Sequence, residues 1–190
     1  MTPNVSNVLV DRWSRRTGVA ADLGWIVGFS LLTAVLAQIR IPLPFTPVPL
    51  TGQTFAVLLA GAVLGSRRGF LSQAVYLAEG AAGLPVFAGG LGSVAHLLGP
   101  TGGYLWSFPL AAALVGWLVE RGASRSVVKL AGALVLSDLV ILVCGALWLG
   151  HFFGTPWREA ALLGFYPFLA GDVLKVALVG MTLPRVISRV

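Results

Sequence analysis

The chain has 190 residues, of which 57% are hydrophobic and 11% are charged, and its mean hydropathy is +0.89. Soluble domains usually carry about 25% charged residues, so this composition excludes a soluble protein and predicts an integral membrane protein. Because a helical span needs about 20 apolar residues, a chain of 190 residues accommodates six spans with short connections and no separate soluble domain. We therefore predict one transmembrane domain over residues 1–190, built only of α-helices.

Six apolar runs are predicted to form the spans, after an N-terminal segment at 1–22 that carries charged residues. The second and third runs are short, because about 13 residues cover only about 20 Å of a hydrocarbon core that is about 30 Å thick. Short segments interrupted by Gly or Pro often mark the substrate sites of transporters. The predicted spans are 23–39, 52–64, 70–82, 104–119, 127–149 and 160–183.

The distribution of Lys and Arg predicts the orientation of the bundle. Most of these 13 residues lie near the N-terminus, at 65–69, at 120–129 or near the C-terminus, all on one predicted side. The other side receives only Arg40 and Arg158. Cytoplasmic connections are enriched in Lys and Arg, so both termini are predicted to be cytoplasmic. The net charge of +6 is then mainly a topology signal, and it does not indicate a nucleic-acid partner.

Two connections on the predicted outer side are rich in Pro or Gly. The segment 41–50 contains four prolines, which exclude a helix because Pro lacks an N–H donor and restricts the residue before it. We expect an ordered loop there that acts as a lid. The segment 83–103 contains seven glycines, which allow sharp turns and bring backbone amides close to a ligand. These two segments predict a substrate entrance on the outer side.

Asp172 and Lys175 lie in an otherwise apolar run at 161–179 that is long enough to cross a bilayer. A charge at bilayer depth costs about 3 kcal/mol on insertion scales, and charges retained there usually face a cavity or pair with each other. At positions i and i+3 the two side chains share one helical face. The pair predicts a binding site, and the alternative is an ion pair that fixes helix packing. Asp138 and Glu79 also lie in the predicted membrane region. Asp138 is either a helix-helix contact or a partner for Lys175, and Glu79 either belongs to the site or reaches the outer surface.

The sequence assigns any ATP-driven step to another chain, because it contains no Walker A motif (GxxxxGK[ST]). It also lacks HExxH and CxxC motifs, so no metal site is predicted. The first span offers a docking face for a partner, since small side chains four residues apart let helices approach closely. The predicted docking residues are Ser30, Thr33, Ala34 and Ala37.

Several long motifs follow one another in an order that closely resembles the BioY family, the biotin-specific substrate-binding (S) subunits of energy-coupling factor (ECF) transporters. The resemblance covers 32–179 and implies a six-helix protein of the cytoplasmic membrane that captures biotin from outside. It also implies a transmembrane coupling subunit and two ATPase subunits as partners, and no cofactor. The motifs are PLPFTPVPLTGQT at 42–54, LLAG at 58–61, GLPVFAGG at 83–90, LGPTGGY at 98–104 and GDVLK at 171–175.

The resemblance also implies a binding site in the outer half of the membrane, closed by the loop at 42–49. An Asp carboxylate there accepts from the ureido N–H groups of biotin, and a Lys ammonium donates to the ureido carbonyl or to the biotin carboxylate. Some family members carry Asn where this chain has Leu91, so that contact is missing here or supplied by Gln53 or Tyr166. The substrate-binding residues predicted in this way are Asp172, Lys175, Gln53, Tyr104, Gly89, Gly90 and Tyr166.

Two other functional classes stay open on the sequence. One is a stand-alone secondary carrier for a small organic acid, in which Asp172 or Glu79 takes up protons. The other is an intramembrane enzyme that uses Asp172 with Asp138. Tight biotin binding without turnover distinguishes a transport subunit, which is not an enzyme, from both alternatives.

Overall fold

The computed structural model describes residues 18–169 and Gly171, and most of them are α-helical. A 3-10 helix spans Ala123–Arg125, and two short strands, β1 (Arg40–Ile41) and β2 (Leu50–Thr51), flank the proline-rich loop. The α-helices are α1 (Gly18–Ala37), α2 (Gln53–Leu64), α3 (Ser66–Ala81), α4 (Val94–Leu97), α5 (Gly102–Glu120), α6 (Val127–Phe153) and α7 (Trp157–Gly164).

Three of these helices, α1, α5 and α6, are long and apolar enough to cross a membrane. Helix α2 is apolar but has only 12 residues, and α3 has 16 residues with several polar side chains. The predicted helices at 23–39, 52–64, 70–82, 104–119 and 127–149 are confirmed as helices, with ends that shift by a few residues. The composition of the three long helices agrees with an integral membrane protein.

The predicted sixth span, 160–183, is not one continuous helix in the part that the structure describes. Helix α7 ends at Gly164, Phe165 forms a turn, and helical conformation resumes at 166–169. Pro167 contributes to the interruption, because it has no N–H group to donate to the preceding turn and is best tolerated in the first turn of a helix. Proline alone does not impose a break, since α5 continues through Pro109. The remainder of this span, including Asp172 and Lys175, lies outside the described residues.

Helix α5 lies at the centre of the bundle and packs against α2, α3 and α6. Glycines at the crossing points let the backbones touch. A Cβ atom at Gly61 in α2 would lie 2.1 Å from the carbonyl oxygen of Ala112 in α5. A Cβ atom at Gly116 in α5 would lie 2.4 Å from the backbone of Gly65, between α2 and α3. Larger side chains at these positions would force the helices apart.

The small-residue face of α1 packs inside the bundle against α3. Ser30 donates a hydrogen bond to the Glu79 carboxylate at 2.5 Å, and Gln73 Nε2 donates to Thr33 Oγ1 at 3.2 Å. Close approach of a helix was expected from this face, but the neighbour belongs to the same chain. Docking of a partner on this face stays a prediction, and its residues are buried or partly buried within this chain: Ser30, Thr33, Ala34 and Ala37.

A two-stranded hairpin adds a small β element to the predicted all-α fold. The strands are antiparallel, and Arg40 pairs with Thr51 while Ile41 pairs with Leu50. The pairing stops there because the adjacent prolines have no N–H group to donate to a ladder. The hairpin fixes both ends of the loop at 42–49.

The opposite end of the bundle carries most of the described basic residues. Arg68 at the start of α3 forms a salt bridge of 3.0 Å with Asp22 in α1. The carboxylate of Glu120 at the end of α5 accepts a hydrogen bond of 2.7 Å from the backbone N–H of Ser66. The bundle therefore has a basic end and a second end with the proline-rich and glycine-rich segments. The other basic residues of the first end are Arg67, Arg121, Arg125 and Lys129.

Gly61→Ala is expected to lower the stability by about 1–3 kcal/mol, because the added methyl group overlaps the backbone of α5. Gly132→Ala is the matched control, since Gly132 is also helical but a Cβ atom there meets nothing within 4 Å. Thermal unfolding of both purified variants in the same detergent measures the difference. Equal melting temperatures would contradict the close packing of α2 on α5.

Candidate binding site

A cavity of about 260 Å³ opens at the end of the bundle that carries the hairpin. The loop at 42–49 covers it, and the glycine-rich segment and the helices α2, α5 and α6 form its walls. Arg40 and Leu91 are exposed at the rim, whereas Phe108 and Ile141 are almost completely buried. The cavity therefore runs from a polar, accessible rim to an apolar floor inside the bundle.

The loop at 42–49, which we call the lid loop, is anchored at its ends and in its middle. The hairpin holds the ends, and Val48 is 5% exposed and belongs to the main apolar core. Thr46 Oγ1 accepts a hydrogen bond of 3.3 Å from the Val48 N–H and stabilises the turn before it. The lid loop is therefore an ordered, non-helical cover whose buried anchor packs on the same core that forms the cavity wall.

Gln53 lies in the cavity wall within a directional chain of hydrogen bonds. Thr51 Oγ1 donates to Gln53 Oε1 at 3.0 Å, and Gln53 Nε2 donates to the Tyr76 hydroxyl at 2.5 Å. The Tyr76 hydroxyl in turn donates to the carbonyl oxygen of Val86 at 3.1 Å. These bonds fix the orientation of the Gln53 amide. Since an amide nitrogen carries two N–H donors, the second N–H of Gln53 is suited to donate to a ligand.

Tyr104 turns its ring to the cavity and its hydroxyl to the end of α7. The hydroxyl donates to the carbonyl oxygen of Gly164 at 2.5 Å. A Cβ atom at Gly145 would lie 2.2 Å from the ring, so only glycine leaves room for the ring there. The ring also contacts Phe168, with 6.1 Å between the ring centroids. Tyr104 therefore supplies an aromatic wall, and its hydroxyl bonds to the backbone rather than serving as a free donor.

Gly89 and Gly90 form a tight turn at the rim. Their φ angles are +79° and +71°, which residues with a side chain rarely adopt. The side chain of Gln38 holds this turn by donating to the Phe87 carbonyl oxygen at 3.1 Å and accepting from the Gly90 N–H at 3.0 Å. The next residue, Leu91, lines the cavity, whereas the two glycines do not. They shape the rim, and their predicted contact with the substrate stays a prediction.

His96 reaches the cavity from α4, although no sequence motif singles it out. Its ring stacks on Phe87 with a centroid distance of 5.3 Å, and its Nε2 lies 3.4 Å from Thr101 Oγ1. Partial burial lowers the pKa of His96, so the ring is neutral at about pH 7. A neutral imidazole donates one hydrogen bond and accepts another, which gives the wall a polar group without a charge.

Tyr166 lies outside the cavity. Its side chain is 59% exposed and contacts Phe165, whereas Phe168 lines the cavity. Residues two apart on a helix point about 200° apart, so Tyr166 and Phe168 cannot both face the cavity. The cavity lining therefore gives no support to the predicted contact of Tyr166 with the substrate, which stays a prediction. The remaining predicted binding residues, Asp172 and Lys175, lie outside the described residues.

The lining combines an apolar body with a few oriented polar groups. Cavities of this kind suit a small molecule that is mostly apolar and carries several hydrogen-bonding groups. In the described ranges, no three His, Cys, Asp or Glu side chains come close enough to hold a metal ion. Lining residues that sequence reasoning did not predict include Arg40, Thr51, His96, Phe108, Ile141 and Phe168.

Tyr104→Phe is expected to destabilise the protein by about 1–2 kcal/mol, because it removes the donor to the Gly164 carbonyl oxygen and leaves the ring in place. Tyr166→Phe removes the same hydroxyl from an exposed side chain and is expected to be neutral. Thermal unfolding in detergent compares the two. A loss of stability that is no larger for Tyr104→Phe than for the control would contradict the role of this hydrogen bond.

Comparison with known proteins identifies the family of this chain. The sequence model of the BioY family matches residues 6–190. The probable biotin transporter BioY of Pyrococcus horikoshii is 44% identical over 158 residues, which cover 83% of this chain and 91% of that protein. The biotin transporter BioY2 of Lactococcus lactis is 38% identical over 160 residues, covering 83% and 86%. BioY of Thermotoga maritima is 39% identical over 153 residues, covering 80% and 88%.

The fold is also similar to that of a protein of known structure. The crystal structure at 2.1 Å of the S-component for biotin from an ECF-type ABC transporter superimposes with a TM-score of 0.83. The sequences are 26% identical, and the match covers 90% of this chain and 93% of the other. Sequence and structure therefore agree, and the chain belongs to the BioY family.

Proposed function

We propose that this chain is an integral membrane protein that captures biotin for uptake as the substrate-binding subunit of an ECF transporter. The family and the relatives named as biotin transporters support this function. The structural observation that carries the proposal is the cavity of about 260 Å³ beneath the lid loop. The chain is a transport protein and not an enzyme, and biotin is its cargo, with no cofactor involved.

The chemistry of biotin fits the lining of this cavity. Its thioether ring and aliphatic chain are apolar and match the aromatic wall of Tyr104, Phe108 and Phe168. Its ureido carbonyl is an acceptor, and the oriented Gln53 amide offers an N–H group to it. A site that orients buried polar groups rejects ligands that leave those groups unpaired. The cavity therefore selects a ligand that has both features.

Asp172 and Lys175 are proposed to complete the polar part of the site. A carboxylate accepts the ureido N–H groups, and an ammonium donates to an oxygen of the ligand. Charge-assisted hydrogen bonds of this kind are the stronger ones. Gly171, which directly precedes Asp172, lies against the side chain of Leu50 in β2, because a Cβ atom there would be 3.1 Å from Leu50 Cδ1. This contact supports a position of the pair beside the cavity.

The proposed orientation directs the cavity to the outside of the cell. The basic end of the bundle lies opposite the lid loop, and enrichment in Lys and Arg is typical of cytoplasmic connections. We therefore propose six spans, with both termini in the cytoplasm, in the cytoplasmic membrane. Biotin then binds from outside, beneath the lid loop.

Transport through this subunit is proposed to depend on other chains. With no Walker A motif in the sequence, ATP hydrolysis is assigned to two ATPase subunits that act through a transmembrane coupling subunit. The role of this chain is to bind biotin and to exclude water from the bound ligand. The prolines of the lid loop limit its freedom before the ligand binds, so ordering the cover costs little conformational entropy.

Asp172→Asn and Lys175→Ala are each expected to weaken biotin binding by about tenfold or more, since each removes a charge-assisted hydrogen bond. Equilibrium binding of radiolabelled biotin to detergent-purified protein measures the effect. Lys129→Ala removes an exposed lysine at the basic end and is the matched control. Normal affinity in both site variants would contradict a binding role for the pair.

Reconstitution into liposomes tests the function as a whole. The purified chain is expected to bind biotin without chemical turnover, and to import it with ATP once the coupling and ATPase subunits are added. Uptake by the chain alone that follows an imposed proton gradient would contradict the role as a subunit and indicate a secondary carrier. Chemical conversion of biotin by the purified chain would contradict it in favour of an enzyme.

A further inference from the structure

We infer that Arg40 binds the carboxylate of biotin at the rim of the cavity. This inference rests on the proposed function and adds the residue that recognises the charge of the ligand. Arg40 is exposed and lines the cavity. Among the described lining residues it is the only Lys or Arg. The neutral His96 is the other nitrogen base in this wall.

The backbone and a glycine fix Arg40 at this place. Arg40 pairs with Thr51 in the hairpin, so its backbone is anchored beside the lid loop. Its guanidinium group lies against Gly89, where a Cβ atom would be 2.4 Å from Nη1 and 2.9 Å from Cζ. Gln38 holds this glycine turn through two hydrogen bonds. The absence of a side chain at Gly89 therefore makes room for a cation at the opening.

The charge of Arg40 is available to a ligand. Within the residues that the structure describes, its guanidinium forms no salt bridge with an acidic side chain. Because the side chain is exposed, binding an anion does not first require that a buried ion pair be broken. A guanidinium group also presents a planar set of N–H donors that matches the two oxygens of a carboxylate.

The positions of the polar groups in biotin determine how the ligand is oriented in the cavity. The carboxylate is at the end of the aliphatic chain, and the ureido group is at the far side of the bicyclic ring. A carboxylate on the apolar floor beside Phe108 and Ile141 would lose its hydration without a partner. With the ring on the floor, the carboxylate reaches the rim and Arg40. This direction assigns Lys175 to the ureido group, one of the two roles that its chemistry allows.

Equilibrium binding of biotin and of its uncharged amide to purified protein tests this inference. The wild-type chain is expected to bind biotin about tenfold more tightly than biotinamide, because one charge-assisted hydrogen bond contributes about that much affinity. Arg40→Gln is expected to bring this ratio close to one while the affinity for biotinamide stays unchanged. Arg158→Gln is the matched control, because Arg158 is an exposed arginine at the same end of the bundle that does not line the cavity.

A second pair of variants tests the position of the Arg40 guanidinium group without removing its charge. Gly89→Ala and Gly90→Ala both place an alanine at a positive φ angle, so their backbone strain is similar. Only the methyl group at position 89 meets Arg40, whereas a Cβ atom at Gly90 meets nothing within 4 Å. Gly89→Ala is expected to lose most of the preference for biotin, and Gly90→Ala to retain it.

The outcomes separate this inference from the proposed function. An unchanged ratio in Arg40→Gln, or an equal loss of affinity for both ligands, would overturn the role of Arg40 and leave biotin binding intact. A ratio that falls in Lys175→Ala and not in Arg40→Gln would assign the carboxylate to Lys175 instead. A wild-type chain that binds neither ligand would overturn the proposed function itself.

Discussion

The hydrogen-bond chain through Thr51, Gln53, Tyr76 and Val86 connects four elements around one cavity: β2, α2, α3 and the glycine-rich segment. A polar group inside a membrane bundle is costly unless it is hydrogen-bonded, so each member of this chain depends on the next. Tyr76 also packs its ring against Phe87, with 5.5 Å between the centroids. The same interactions that satisfy these polar groups therefore hold the glycine-rich segment in the cavity wall and fix the orientation of the Gln53 amide.

Glycine provides the space that this arrangement needs. At Gly61 the missing side chain lets α2 touch α5, and at Gly145 it admits the ring of Tyr104. At Gly80 a Cβ atom would lie 2.0 Å from the Phe87 ring, and at Gly89 it would meet the guanidinium group of Arg40. Helix packing, the aromatic wall and the charged rim thus all depend on positions where any larger residue would collide. The abundance of glycine in the chain reflects close contacts as much as flexible turns.

Much of the fold was predictable from the sequence, because apolar runs of helical length and prolines act locally. The helices at 23–39 and 127–149 follow from hydropathy, and the non-helical lid loop follows from its prolines. The break at Phe165 was missed although Pro167 signals it, since the apolar run continues across both residues. Hydropathy reports that a segment is apolar, but it does not tell whether one helix or two are formed. A proline does not decide this alone, since α5 continues through Pro109.

The site was predicted less completely, because its wall depends on contacts between distant segments. Gln53 and Tyr104 were found through the family motifs, and the structure places both in the cavity wall. Arg40 carries no such signal, since only the folded hairpin and the turn at Gly89 bring it to the rim. The docking face assigned to α1 shows a related limit, because that face packs against α3 of the same chain. Small residues four apart indicate close helix packing, but they do not tell whether the neighbouring helix is in the same chain.

The central claim is that biotin occupies the cavity beneath the lid loop, and an experimentally determined structure of the purified chain with biotin tests it most directly. The account predicts the bicyclic ring between Tyr104 and Phe108, with an N–H of Gln53 on the ureido group and the carboxylate beside Arg40. Biotin bound at another surface, with this cavity filled by the chain's own side chains, would contradict the account.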